Sequence, residues 1–356
     1  MAAPVRYGVI GAGLMGREHL RNLAQIAEAT VVAVADPVEA SRAAAAADAP
    51  GAVLFEGYQA LLARDDIDAV VVATPNHTHA GVLPDCFATG KHILVEKPLA
   101  TTIADCEAIV RAAAGREAVT WVGMEYRYMA PVARLIEEVR AGTAGQLWML
   151  AIREHRFPFL PKVGHWNRFN RNTGGTLVEK CCHFFDLMRV IVGAEPERVF
   201  ASGGQDVNHL KERYGGETPD ILDNALVVVE FANGVRASLD LCMFAEGSKH
   251  QEEIAATGDR GKVECFLPAS TLVVAPRRGD LREEAVAPNP RVRFEGFHHG
   301  SSYLEHLAFI RAIRGEGPVE VTPADGLRAV AMGIAAQRSI AERRVVEMAE
   351  VLPAGW

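Results

Sequence analysis

The chain carries no excess of positive charge: 37 Lys and Arg are outnumbered by 45 Asp and Glu, giving a formal net charge of −8. No global positive field is available to draw it to nucleic acid or to an anionic membrane surface, so neither partner is expected. No apolar stretch reaches the ~18 residues that a spanning helix needs. Met1-Ala2-Ala3-Pro4 runs into the first apolar run without the charged region and long apolar core of a signal peptide. Cysteine is sparse and scattered, at Cys86, Cys106, Cys181, Cys182, Cys242 and Cys265, with no C-x-x-C and no His-rich spacing. That pattern gives neither a disulfide framework nor a zinc site, and the expectation is buried thiols in a reducing cytoplasm with no bound metal.

What is present points to a globular protein of ordinary composition, 49% hydrophobic and 23% charged over 356 residues. At ~150 residues per domain this length predicts two domains. Val5 to Ile10 reads as a short strand that runs into Gly11-Ala12-Gly13-Leu14-Met15-Gly16, a helical stretch and a second strand, Val31 to Ala35, ending at Asp36. This is G-x-G-x-x-G in strand, turn and helix context with an acid ~20 residues on, the pattern of a dinucleotide site. Gly11 permits the tight turn, Gly13 lets backbone N–H groups approach a pyrophosphate, and Gly16 lets the helix lie close to the strand. Asp36 would accept hydrogen bonds from the adenosine ribose and repel a 2′-phosphate, which favours NAD over NADP.

Further strands alternate with helices at Val53 to Phe55, Ala69 to Ala73, His92 to Val95 and Val119 to Val122, which predicts a doubly wound parallel sheet. Two of them end in polar loops at the edge where open α/β sheets hold ligands. The first is Thr74-Pro75-Asn76-His77-Thr78-His79, beside the expected nicotinamide, where Asn76 or His77 would touch the nicotinamide or the substrate and Thr78 and His79 read equally well as turn residues. The second is Glu96-Lys97-Pro98, where Pro98 ends the strand. These residues read either as a surface ion pair or as a lysine facing a cofactor. Gly123-Met124-Glu125-Tyr126-Arg127-Tyr128-Met129-Ala130-Pro131 closes this half.

The glycine loop, T-P-N-H, E-K-P and G-x-x-Y-R-x-x-P, in this order and spacing, resemble the Gfo/Idh/MocA superfamily of sugar and cyclitol oxidoreductases over nearly the whole chain. The resemblance implies an N-terminal Rossmann domain, residues 1–124, and a C-terminal α/β domain, residues 125–356, whose large open antiparallel sheet often forms oligomer contacts. A homodimer or homotetramer through that sheet is therefore expected, and the terminal helix is allowed to pack back on the first domain. Implied cofactor contacts come from Gly11, Gly13, Leu14, Met15, Gly16, Asp36, Thr74, Pro75, Asn76, His77, Glu96 and Lys97.

The second half reads compatibly. Strands are expected at Leu147 to Arg153, Arg198 to Gly203, Asn224 to Phe231, Val235 to Met243, Glu252 to Thr257, Lys262 to Phe266 and Thr271 to Val274, with polar loops over residues 205–221 and 276–292. Asn233-Gly234 predicts a type I′ hairpin. The last helices, Tyr303 to Arg314 and Pro323 to about Arg343, are assigned to packing, with Arg338 and Glu342 on a solvated face. Leu177 to Val192 reads as one helix with Glu179, His183 and Asp186 on one side and Leu177, Cys181, Phe184, Met188 and Ile191 opposite.

In the superfamily the matching segment reads G-G-G followed by D-x-x-x-H; here Gly174-Gly175-Thr176 and Glu179 depart from it while His183 keeps its place. Glu179 also completes a capping-box pattern with Thr176, and a metal on Glu179 and His183 lacks a third ligand. The expected chemistry is NAD-dependent hydride transfer between nicotinamide and a secondary alcohol of a sugar, sugar derivative or cyclitol. His183 acts as acid/base, Lys97 on the same oxygen, and Glu179 as a positioning group. Tyr126, Arg127, His155, Trp166, Asn167, Glu179 and His183 are the expected substrate contacts. Two alternatives stay open: a glycoside hydrolase that uses NAD for transient oxidation, and a non-catalytic sugar or nucleotide sensor.

Overall fold

Six short strands rich in Val, Ile, Leu and Ala form the first sheet: β1 (Val5–Ile10), β2 (Ala29–Ala35), β3 (Val53–Phe55), β4 (Ala69–Val72), β5 (His92–Glu96) and β6 (Thr120–Gly123). They pair in the order β3-β2-β1-β4-β5-β6, every neighbouring pair parallel. Val70, Val71 and Val72 on β4 and Ile93, Leu94 and Val95 on β5 are all fully buried, the state that helices on both faces of a parallel sheet impose. Strand order reverses between β1 and β4, so the carboxyl ends of these two strands flank the crevice where doubly wound folds take ligands. The glycine loop leaves β1 there, and Thr74 to His79 leave β4.

The computed structural model describes residues 3–356. The second sheet has nine strands: β7 (Leu147–His155), β8 (Pro196–Gly204), β9 (Asn224–Phe231), β10 (Arg236–Cys242), β11 (Glu252–Gly258), β12 (Gly261–Leu267), β13 (Thr271–Pro276), β14 (Arg282–Ala285) and β15 (Val346–Glu347), in the order β14-β13-β12-β11-β7-β10-β9-β8-β15. It is mixed rather than purely antiparallel, because β7 and β10 run parallel at its centre. Alternation sorts its faces. Ala225, Val227, Val229 and Phe231 on β9 are buried, while Leu226 is 63% exposed and Val228 44%.

Two local expectations change. Between β9 and β10 only Gly234 takes the left-handed conformation (φ 82°), whereas a type I′ turn needs positive φ at both central residues. Gly234 N–H bonds Phe231 O and Phe231 N–H bonds Val235 O, which makes a three-residue connection with Gly234 as its left-handed member. The expected loop over 276–292 contains β14, which extends the sheet edge.

Packing divides the chain discontinuously. One unit comprises the residues to Tyr128 together with Lys162–Gly164 and Asn289–Leu327; the other comprises Met129–Pro161, His165–Pro288 and Arg328–Trp356. The helix Ser301–Ile313 belongs to the first unit. There Tyr303 Oη donates to Gln25 O at 3.2 Å and the Trp121 indole N–H to Glu305 at 3.2 Å. All six cysteines are free, five of them buried and Cys242 half-buried. Among the described residues no helix is long and apolar enough to cross a membrane, and no group of three or more His, Cys, Asp or Glu side chains is placed to hold a metal ion.

Candidate active site

The nucleotide half is built by the first unit. Gly11 sits at φ 92°, and a Cβ there would lie 2.6 Å from the Ala73 carbonyl oxygen; a Cβ on Gly16 would lie 1.9 Å from Gly11 O. Both positions thus admit only glycine, for the turn and for the close approach of helix to strand. Gly13 is the opposite case: its Cβ would meet nothing within 4 Å, and as the N-cap of helix Leu14–Leu23 it supplies no side-chain cap. The first-turn N–H groups, unsatisfied within the helix, therefore face open space suited to a pyrophosphate. Leu14 is 42% exposed and Met15 half-buried at the same place.

Asp36 is buried. One carboxylate oxygen accepts the Ala12 N–H at 2.7 Å and the other the Val38 N–H at 2.8 Å. The acid thus holds the glycine loop itself, and each oxygen keeps a further lone pair for a ribose. Arg42 ties down the Asp36 carbonyl at 2.7 Å. After β4, Thr74 and Pro75 are half-buried and His77 is exposed. Asn76 is 5% exposed, with its amide nitrogen buried and lacking a hydrogen-bond partner among the described residues. A buried donor in that state suits an acceptor on a bound molecule. The Thr78 hydroxyl stays within the loop, 2.7 Å from Pro75 O and 2.8 Å from Thr74 Oγ1.

The E-K-P segment is not a surface ion pair. Glu96 is 4% exposed; its Oε1 accepts from His19 Nε2 at 2.8 Å and its Oε2 from the Lys97 backbone N–H at 3.1 Å. Burial alone would raise the Glu96 carboxyl, but the His19 hydrogen bond, with help from the charges of His19, Lys97 and His298, holds it below the usual carboxylate range. Lys97 is half-buried, and its bond to Pro98 is cis. Behind it lies a second carboxyl, Glu305, pushed well above its ordinary range by burial and by the nearby Glu125 and Glu96. Its protonated form is thus favoured, the opposite of Glu96. Tyr126 is buried with its ring centre 6.0 Å from that of His298, and Arg127 donates to Glu320 O at 2.6 Å.

The second unit carries the acid and imidazole. Instead of one helix over 177–192 there are two, Thr176–Glu179 and Cys182–Val192, with Lys180 and Cys181 between them. The polar stripe is not solvated. Glu179 and His183 are each 2% exposed and Asp186 is fully buried. The capping box is not formed: Gly175, not Thr176, is the N-cap, and the Thr176 hydroxyl donates to Leu222 O at 2.6 Å. Next to Glu179, the buried Lys180 ammonium lies 2.9 Å from Glu154 Oε1, and Arg156 donates to the same oxygen at 3.2 Å. Asn167 is fully buried; its amide N–H bonds Leu160 O at 3.0 Å, while its Oδ1 has no hydrogen-bond partner among the described residues. Trp166 is half-buried, and His155 Nε2 lies 3.1 Å from Asp240 Oδ1.

Residues 5–124 match the model of an oxidoreductase family's NAD-binding Rossmann fold, and residues 136–348 that of the family's C-terminal alpha/beta domain. The chain belongs to the Gfo/Idh/MocA oxidoreductase family. Among its relatives is a myo-inositol 2-dehydrogenase of Thermotoga maritima, 29% identical over 98% of this chain and 100% of that protein. An inositol 2-dehydrogenase of Saccharopolyspora erythraea is 32% identical over 97% of this chain and 96% of that one. Of solved structures, levoglucosan dehydrogenase in complex with NADH and levoglucosan superposes with a TM-score of 0.85 at 25% identity, covering 97% of this chain and 99% of that chain.

Sequence reasoning about this oxidoreductase missed His19, His306 and Glu305. His19 was discoverable as a polar residue inside the apolar stripe formed by Leu20 and Leu23. Glu305 and His306 sit on a helix whose polar residues look like a solvated face until its packing is known. In the structure both are almost fully buried.

Proposed function

We propose that this protein is an NAD-dependent dehydrogenase that oxidises a secondary hydroxyl of a sugar, sugar derivative or cyclitol, as the names of its full-length relatives suggest. The observation that carries the reading is the placement of Lys97. It follows a buried strand of an NAD-binding sheet, next to the strand whose loop presents the buried Asn76 amide nitrogen, which has no hydrogen-bond partner among the described residues. Gly11 to Gly16, Asp36 and the Thr74 to His77 loop would hold the cofactor. Bound NAD supplies the hydride acceptor. The His183 imidazole takes the hydroxyl proton as the C–H bond breaks. Lys97 donates a hydrogen bond to the same oxygen and stabilises the negative charge developing there. Glu179 orients a neighbouring hydroxyl or the imidazole, and Tyr126, Arg127, His155, Trp166 and Asn167 are the further groups assigned to the substrate.

Absorbance at 340 nm in a screen of inositols, sugars and glycosides with NAD and with NADP tests the reading. NADH formation from a polyol, with NAD preferred, is expected. Release of aglycone without net NADH would replace it by the hydrolase, and preference for NADP would overturn the role of Asp36. The free, mostly buried thiols support a reducing cytoplasm as its setting. The open sheet face bearing Phe200, Leu226 and Val228, 46%, 63% and 44% exposed, supports a homodimer or homotetramer through that sheet. Light scattering should show Leu226→Lys to be smaller than the wild-type assembly.

A further inference from the structure

Two buried histidines from different helices meet the E-K-P segment on either side of its lysine. His19, on helix Leu14–Leu23 and 1% exposed, holds Glu96 Oε1 through Nε2, while Glu96 Oε2 accepts the Lys97 N–H. The other His19 nitrogen lies 2.9 Å from Nε2 of the fully buried His306. His79, the first residue of helix His79–Phe87 and fully buried, places Nδ1 3.0 Å from Pro98 O and Nε2 3.1 Å from Thr74 O. The residue before Lys97 and the residue after it are thus each tied to a separate imidazole.

Proton assignments follow from the partners. A carboxylate only accepts, so His19 Nε2 carries the hydrogen, and His19 Nδ1 and His306 Nε2 share one hydrogen between them. Both His79 nitrogens face carbonyls, which only accept, and a neutral ring carries one N–H, so the tie to Pro98, the shorter of the two contacts at 3.0 Å against 3.1 Å, requires that hydrogen on Nδ1. Burial favours neutral rings at His79 and His306. Taking polar rings out of water is unfavourable unless they are hydrogen-bonded, and apolar side chains would fill the same space without that penalty. A connected polar network does what apolar packing does not: it fixes direction, and a working side chain needs placement to within about half an ångström.

We propose that His19 and His79 are positioning residues for Lys97, His19 acting through the Glu96 carboxylate and His79 through the Pro98 carbonyl. The functional half of this statement rests on the reading of Lys97 given above; the positional half does not.

Asparagine and glutamine separate the two nitrogens of each ring. The asparagine amide nitrogen is two bonds from Cβ, as Nδ1 is, and the glutamine amide nitrogen three, as Nε2 is. His19→Gln keeps the tie to Glu96, whereas His19→Asn keeps only the contact to His306. At the other position the order reverses: His79→Asn keeps the tie to Pro98, and His79→Gln only that to Thr74. The full-length variants are compared by the rate at which acetic anhydride acetylates Lys97, read by mass spectrometry, and by kcat and KM on the polyol that the wild type oxidises fastest. Labelling needs no substrate, and NADH binding by fluorescence reports folding.

His19→Gln and His79→Asn should stay near the wild type. His19→Asn and His79→Gln should shift Lys97 labelling and lower kcat by about tenfold, the equivalent of one hydrogen bond, with KM little changed. Equal behaviour of the two amides at each position, or the same preferred amide at both, overturns the proposal, because packing alone would give either. The Lys97 reading is judged apart. Full turnover by Lys97→Met defeats that reading whatever the labelling shows, whereas an inactive Lys97→Met with matched amide pairs defeats only the clamp.

Discussion

The two units hold their key polar residues by different means. Around Lys97 the supports are imidazoles, backbone groups and one buried anion: Glu96 with His19, His19 with His306, and His79 with the Thr74 and Pro98 carbonyls. Next to Glu179 in the chain, the buried polar groups are ionic. Lys180 and Arg156 share Glu154, and Glu252 lies on the adjoining strand, opposite Glu154 in register. Burial lowers the Lys180 ammonium and, with Glu154 nearby, raises the Glu252 carboxyl. The contrast is between a segment around Lys97 held by hydrogen bonds from imidazoles and backbone with one carboxylate, and a buried Lys180 held by an ion pair with Glu154.

The largest way to sharpen this contrast is at the imidazole itself. His183→Ala should lower kcat by about 10²–10⁴ while leaving NADH affinity unchanged, as loss of an acid/base group does; stopped-flow and fluorescence titration check both. Lys180→Met should act on stability instead. Removing one partner of a buried ion pair strands the other, at about 3–5 kcal/mol, and urea unfolding should recover much of that loss in Lys180→Met with Glu154→Leu.

Much of this organisation is legible in the sequence where it is local. The glycine loop, Asp36 and E-K-P each lie within a few residues of a strand end, so period and punctuation suffice to place them. His19 and His306 are separated by 287 positions, and no local pattern pairs them. The helix at Glu179 looked continuous because its apolar period runs through Lys180, whose burial against Glu154 on β7 is a tertiary fact. Asn233-Gly234 misled for a related reason: the dipeptide permits a type I′ turn, but the pairing of Phe231 with Val235 sets a longer connection.

A smaller effect separates the acids of the first unit. Glu305 has its carboxyl pushed up by burial, so the folded protein keeps a proton that the unfolded chain releases. Its contribution to stability is present below the unfolded carboxylate pKa and is lost as pH rises toward the raised folded value. Glu305→Gln keeps an acceptor for the Trp121 N–H and removes that dependence. Urea unfolding should find the variant close to wild type near about pH 5 and more stable than wild type near about pH 8. A variant less stable at both would mean that the Glu305 proton has another acceptor.

The central claim is that Lys97 of this oxidoreductase acts on the alcohol oxygen during NAD-dependent oxidation. It is tested most directly by steady-state NADH formation at 340 nm by wild type and Lys97→Met, at saturating NAD and the preferred polyol. The account predicts a loss in kcat of about 10²–10³, the effect of removing one donor from a developing oxyanion, with NADH affinity retained. Turnover by Lys97→Met within about twofold of wild type, far short of that loss, would contradict it.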